Sequence, residues 1–199
     1  MSAMVEEKVR KATQVIVSKD HDAIQSIILS DYEVDEMEID IEEDCLKILA
    51  LHQPVARDLR FLIAVITINN GMVRVGEIVV KSAMRVDNIS KFTHQQAISY
   101  DFSVMSNQAL QMLKKSIDAL VNSDARLARS IFLDDDLVDE CRNRCYEDVK
   151  KRIRNDPEHP GFHINTYLLA RHLERIADRA VNIAEEVIYV VEGTITRFN

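Results

Sequence analysis

The sequence predicts an all-α protein of two tandem three-helix bundles, and three observations carry that prediction. Four glycines and three prolines in 199 residues leave little punctuation, so the elements must be long. Apolar residues recur at three- and four-residue spacing along most of the chain, the period of helices that bury one face. The pattern then repeats. Adding 104 carries Ile27-Ile28-Leu29 onto Ile131-Phe132-Leu133 and Val34-Asp35-Glu36 onto Val138-Asp139-Glu140. Past a hairpin turn the offset becomes 101, carrying Phe61 onto Phe162, Arg74 onto Arg175 and Ala83 onto Ala184, and the difference of three is a difference in turn length. Residues 1–92 are expected to form the first bundle and 93–199 the second. Tryptophan is absent and alternating β-branched runs are short, so no strand is expected.

In chain order, residues 3–17 read as an amphipathic helix with Val5, Val9, Ala12 and Ile16 inward, ended at Ser18-Lys19-Asp20. A short helix with Ala23, Ile24, Ile27 and Ile28 on its apolar side follows, closed by Ser30-Asp31, whose side-chain oxygens suit a cap. The next helix runs to Leu51 with Val34, Met37, Ile41, Cys45, Ile48 and Leu49 inward. His52-Gln53-Pro54 is the turn, with the proline in the first turn of a long helix to Ser90. That helix is expected to bury Leu59, Leu62, Ile63, Ile66, Val73, Val80 and Met84. Lys91–Ser99 is a polar linker. The second copy then reads as a helix over 101–121, a break at Asn122-Ser123-Asp124, a short helix ending at Leu133, and a hairpin turning at Asp156–Gly161.

Charge excludes some functions. With 25 basic and 33 acidic residues the formal net charge is −8, which disfavours nucleic acid and anionic membranes, since both demand a basic surface. The first residues hold no uninterrupted apolar h-region, and no segment reaches about 18 apolar residues without charge. A soluble cytoplasmic protein without direct membrane insertion is expected. Three cysteines fit a reducing compartment, and Cys141 and Cys145, four apart on one helix, are expected as small core residues.

The last long helix, Phe162 to Glu192, carries the candidate chemistry. Its apolar arc from Leu169 to Ile188 spans roughly 160°, and beside it Glu174, Asp178, Asn182 and Glu185 fall within roughly 80°. Three carboxylates and an amide oxygen are hard ligands for a divalent or trivalent cation. A solvated acidic face, partly neutralised by Arg171 and Arg175, is the competing reading. The repeat adds to the first. Asp139 lies about 17 residues before the second turn and Glu174 about 16 after it, ~25 Å along each arm, so Asp135 and Asp139 can meet Glu174 and Asp178 at one height. Four carboxylates there repel one another unless a cation sits among them. In the first copy the corresponding positions are Val73, Glu77, Lys81 and Met84. There Asp31, Asp35 and Glu77 form a degenerate set in which the Lys81 ammonium competes with a cation, so weak metal binding or an internal ion pair is expected.

These residues resemble the PhoU family of phosphate-transport regulators. ALHQPVARDLRFLIAVITI, Ala50 to Ile68, is similar to that family's Gln-Pro hairpin turn followed by Asp-Leu-Arg. LLARHLERIADRAVNIAEEVIYVVEG, Leu168 to Gly193, is similar to its second Glu/Asp-x-x-x-Asp signature with the Asn-Ile-Ala-Glu that follows, and the repeat agrees. The resemblance implies a cytosolic, non-catalytic adaptor and homodimer, with metal (iron, zinc, manganese or magnesium) at the acidic motifs. It further implies negative control of phosphate uptake and phosphate-starvation signalling, through the ATPase subunit of the phosphate ABC transporter and a membrane sensor histidine kinase. This chain departs from the family at Val73-x-x-x-Glu77, at Lys81 in place of an amide, and in a shorter opening helix.

Two other functions compete. A carboxylate-bridged metal enzyme of the ferritin type needs Glu three residues before His, and none of the six histidines has it. Nucleophile elbows and phosphate or dinucleotide loops are absent as well. His163 and His172, on opposite sides of the helix, are expected at the surface or its boundary. The second competitor is a metal-binding helical scaffold unconnected with phosphate, which only the resemblance separates from the adaptor.

Overall fold

The structure is a computed structural model and describes residues 1–30, 32–92 and 100–195. Its elements are α1 (Ser2–Ser18), α2 (His21–Leu29), α3 (Tyr32–His52), α4 (Ala56–Ser90), α5 (Ser103–Asn122), α6 (Ala125–Asn155) and α7 (Pro160–Glu192), with no strand among the described residues. The two copies share their punctuation. α1 and α5 end on Lys19 and Ser123, both left-handed at φ 54° and 51°. Each is followed by an aspartate that caps the next helix: Asp20 Oδ1 accepts from the backbone N–H groups of Asp22 and Ala23, and Asp124 Oδ1 from those of Arg126 and Leu127. α7 opens on Pro160 and ends at Gly193, φ 74°, a conformation glycine adopts without steric cost.

The copies differ where one break was expected in both. α2 stops at Leu29, whereas its mate runs through Leu133 without interruption, so α6 is one helix and not a short helix followed by an arm. Lys8 gives the reason. Its buried ammonium donates to the carbonyl oxygen of Ser30 and lies 3.8 Å from Glu33, drawing the chain out of the helix there. The mate of Lys8 is Met112, which offers no donor, and the mate of Ser30 is Asp134, whose side chain pairs with Lys115 at 2.6 Å and leaves its backbone helical. The first hairpin turn is also longer than expected. Gln53 leaves α3 in the left-handed region and Val55 is extended, so α4 begins at Ala56 and Pro54 lies outside it.

α4 and α7 form the centre of the molecule. Arg60 packs against Gly193, Ile68 and Gly71 share a cleft with Asn182 and Ile183, and Arg85 bonds Asn165 at 3.2 Å, so the two helices run antiparallel along their lengths. α1, α2 and α3 lean on α4, while α5 and α6 lean on α7 and on each other. One apolar core runs through both copies, from Val5, Val9 and Ile24 through Met72 and Ile78 to Leu113, Ile131, Leu173 and Ile188. Cys45, Cys141 and Cys145 are free thiols inside it or at its margin. Among the described residues α4 is the one helix long and apolar enough to cross a membrane, and half of its most apolar stretch is buried in this bundle.

The first hairpin is less covered than its pattern predicts. α1 packs on α2, α4 and α5 rather than along α3, and α3 fully buries only Val34 and Cys45. Ile48, Leu59, Ile63 and Met84, expected inside, are exposed, as are Leu46, Leu51 (77%) and Val55 (74%). The mates of Ile39, Leu46, Ile48 and Leu51 are Asn143, Lys150, Arg152 and Asn155, so the two hairpin ends share a backbone plan and not a surface chemistry.

Candidate metal centre

α6 and α7 bring the second-copy carboxylates into one field. Asp135 and Asp139 stand one turn apart on α6, and Glu174 and Asp178 one turn apart on α7. Glu174 is only 7% exposed. Burial, with Asp178, Asp139, Asp136 and Glu174 nearby, pushes the Asp135 carboxyl up to about 6. Burial likewise raises Glu174 against the pull of Arg142 and Arg171, and raises Asp178 against that of Arg179. These carboxylates are neighbours through the Coulomb field, not as a closed coordination shell. Among the described residues no three His, Cys, Asp or Glu side chains converge as a metal would require.

Guanidinium groups stand between the acids. Arg142 Nη2 lies 3.2 Å from Glu174 Oε1 and 3.3 Å from Asp139 Oδ1, joining α6 to α7. Arg171 Nη1 reaches both oxygens of Glu174, at 2.7 and 3.1 Å. The Arg171 pair follows from i, i+3 spacing, but Arg142 is not visible from the stripe on α7. Its signal was its position three residues beyond Asp139, on the arm already aligned with Glu174.

The stripe on α7 divides. Glu174 and Asp178 face the acids of α6. Asn182 and Glu185 instead line a cleft of about 320 Å³ with Thr67, Asn70 and Gly71 of α4, and Arg179 and Glu186 of their own helix. The Asn182 amide is oriented so that its oxygen accepts from Arg179 at 3.2 and 3.3 Å, and Glu185 is buried. An ~80° stripe on a helix with neighbours on several sides straddles two seams. In the first copy, Glu77 is held by Lys81 at 3.1 Å and Arg74 at 3.4 Å. The Lys81 hydrogen bond, with help from Arg74, keeps its carboxyl below the usual range despite partial burial. Asp35 is exposed, and Asp31 lies outside the described residues.

The donors are hard oxygens by type but do not converge on one point. Four carboxylates confront the two guanidiniums in contact with them, Arg142 and Arg171, and it is burial first, then the neighbouring acids, that raises Asp135. Two histidines depart from expectation, because both are buried. His163 bonds Asp156 at 3.2 Å. His172, 8% exposed, has no hydrogen-bond partner on either ring nitrogen. Burial first, then Arg85, Arg175, Lys81 and Arg171, push its pKa down to about 4, so it stays a neutral core group at neutral pH.

Comparison with known proteins bears on family and fold. The family model of the PhoU domain matches twice, over residues 1–86 and 102–187. The chain is 31% identical over 197 residues to the phosphate-specific transport system accessory protein PhoU homolog of Pseudomonas aeruginosa, covering 99% of this chain and 81% of that one. It is 29% identical over 198 residues to the accessory protein PhoU of Serratia marcescens, covering 99% and 81%. Among solved structures it is similar to PhoU from P. aeruginosa, with TM-score 0.90, 31% identity and coverage of 98% and 93%. The phosphate transport system regulatory protein PhoU from Streptococcus pneumoniae gives 0.88, 25%, 99% and 92%.

Proposed function

Since the chain belongs to the PhoU family, we propose that it is a negative regulator of phosphate uptake and phosphate-starvation signalling that acts by binding partners and catalyses nothing itself. The observation that carries this reading is the double match, one PhoU domain on each half, in a fold that aligns end to end with two PhoU structures. The partners are the ATPase subunit of the phosphate transporter and a membrane sensor histidine kinase, and the working form is a cytoplasmic homodimer. Loss of the protein is then expected to leave phosphate uptake high in phosphate-replete cells. The ATPase subunit is expected to co-purify with the tagged chain. Uptake that stays repressed without the protein counts against the reading.

In this reading the second bundle holds a divalent or trivalent metal ion, among iron, zinc, manganese or magnesium. Asp135 and Asp139 from α6 and Glu174 and Asp178 from α7 would be its ligands, with Asn182 and Glu185 supporting from the adjoining cleft. When bound, the ion would supply positive charge to these acids. The protein's own part is to hold those arms at one height and keep Glu174 from water. Asp35, Glu77 and Asp31 would bind weakly in the first bundle, because Lys81 already occupies Glu77. Elemental analysis of untagged protein purified without chelator tests this. Metal in the wild type that falls sharply in Glu174→Ala/Asp178→Ala, with helicity nearly intact, supports the assignment, and equal metal in both sinks it.

A further inference from the structure

We propose that the uncovered face of the first hairpin docks a basic amphipathic helix of a partner protein, with the apolar stripe of that helix on α3 and α4 and its lysine or arginine side chains at Glu38 and Glu42. The inference rests on the adaptor reading above, to which it adds where a partner sits and what chemistry it carries, and it does not depend on metal.

Helix geometry assembles the face. On α3, Glu38, Ile39, Glu42 and Leu46 fall within roughly 100° of one another, and on α4, Leu59, Ile63, Ile66 and Val73 fall within roughly 80°. The two stripes look the same way, because their mates in the second copy touch. Arg142, the mate of Glu38, lies 3.2 Å from Glu174, the mate of Val73. The ring centroids of Tyr146 and Tyr167, the mates of Glu42 and Ile66, are 5.4 Å apart. Among the described residues α3 packs chiefly on α4, and α1 does not lie along it. Ile39 and Leu46 are therefore more than half exposed, with Leu59 and Ile63 exposed beside them. Large aliphatic side chains gathered on one face mark an interaction site more often than scattered ones do.

Charge and length select the occupant. The bases that reach α3, Lys8 at Glu33 and Lys47 at Glu43 and Asp44, leave Glu38 and Glu42 without a basic partner among the described residues. Both acids flank the aliphatic row, so a ligand that covers the row must bring positive charge to its edge. The row runs ~20 Å along α4 from Leu59 to Val73, the length of a helix of about four turns. A groove between two antiparallel helices takes such a helix by its apolar side.

A second copy of this chain fits the face poorly. Laid on it symmetrically, the copy would set Glu38 and Glu42 against the same two acids, shut off from water. An anionic membrane is repelled by those acids as well. The opposite hairpin shows how specific the chemistry is to one half. There the mates of Glu38, Ile39 and Leu46 are Arg142, Asn143 and Lys150, so a basic helix would meet bases in place of acids and polar side chains in place of aliphatic ones.

The test is fluorescence anisotropy of a labelled helical peptide of about 18 residues with the purified full-length chain, leucine standing at i, i+3, i+4 and i+7 and lysine elsewhere. Two further peptides are controls, one with glutamate in place of lysine and one of the same composition shuffled to lose the stripe. The leucine–lysine helix is expected to bind at least about tenfold tighter than either. Leu46→Gln/Ile63→Gln and Glu38→Gln/Glu42→Gln are each expected to weaken it by at least about tenfold, the second pair also flattening its salt dependence. Ile164→Gln makes the same change at the exposed mate of Ile63, and is expected to leave binding as it is. Leu46→Gln alone, at an exposed position, serves if a double variant folds poorly. Absence of binding, equal binding of the three peptides, or equal weakening by Ile164→Gln overturns the proposal, the last two because adsorption to an acidic chain would account for them. A dimer in sedimentation equilibrium that Leu46→Gln/Ile63→Gln breaks into monomers overturns it too, since a second copy would then own the face. Each of these failures leaves the adaptor reading standing where loss of the protein still raises phosphate uptake, and uptake that stays repressed counts against that reading whatever the peptide does.

Discussion

Asp135 and His172 set opposite responses to acid. The folded-state pKa of Asp135 is raised from 3.8 to about 6, so its contribution to stability is complete below pH 3.8 and is lost as pH rises through about 6. Asp135→Asn is expected to stabilise the metal-free protein at pH 7 by on the order of 1 kcal/mol, a figure discounted for partial exposure, and to make no difference near pH 3.5. His172 is depressed from 6.5 to about 4, so its contribution is complete above pH 6.5 and is lost as pH falls toward 4. His172→Leu replaces a ring without hydrogen-bond partners, and is expected to remove on the order of 2 kcal/mol of that acid-side loss. Urea titrations of the two variants at pH 7, 6, 5 and 4 measure both effects, and parallel curves for wild type and His172→Leu would contradict the second. At this scale the sequence was partly legible. The acids on α7 and their height against α6 followed from helix geometry, and so did the Lys81–Glu77 pair. Arg142 and the burial of His172 did not, because each depends on the rotation of one helix against another, which a period of 3.6 leaves open.

Single side chains decide where elements end. Lys8 terminates α2 by donating to the Ser30 carbonyl, and the second copy, with Met112 in that position, runs straight on. Lys8→Met is therefore expected to cost about 1–3 kcal/mol, through loss of a buried charged donor, while helical content by circular dichroism stays level or rises. A loss of helicity would show that Lys8 stabilises α1 instead of ending α2. Element existence was readable nearly throughout, because long apolar periods and aspartate caps are local signals. The false break in α6 came from carrying a junction across the repeat on apolar matches alone. The junction is made by a lysine 22 residues away from it, and apolar alignment does not register that residue's replacement.

At the scale of the molecule, the antiparallel α4–α7 seam and the single core tie the two copies together. Calorimetry is expected to give one unfolding transition, not one for each repeat. Ile176→Ala, at a fully buried position on α7, is expected to cost 2–5 kcal/mol and to lower that one transition as a whole. A split into two transitions would mean that the halves unfold independently. Which residues the first hairpin leaves uncovered was not legible, since the stripe on α3 announces a buried face whether or not a helix lies over it. That uncovered end gives the molecule a direction. A duplicated architecture begins with two interchangeable poles, but here one pole carries Leu46, Leu51 and Val55 amid acids, and the other Lys150, Arg152 and Asn155. On a hydrophobic-interaction resin the chain should stand on its first hairpin with the second turned into solvent, adsorbed in one orientation like an arrow set on its point.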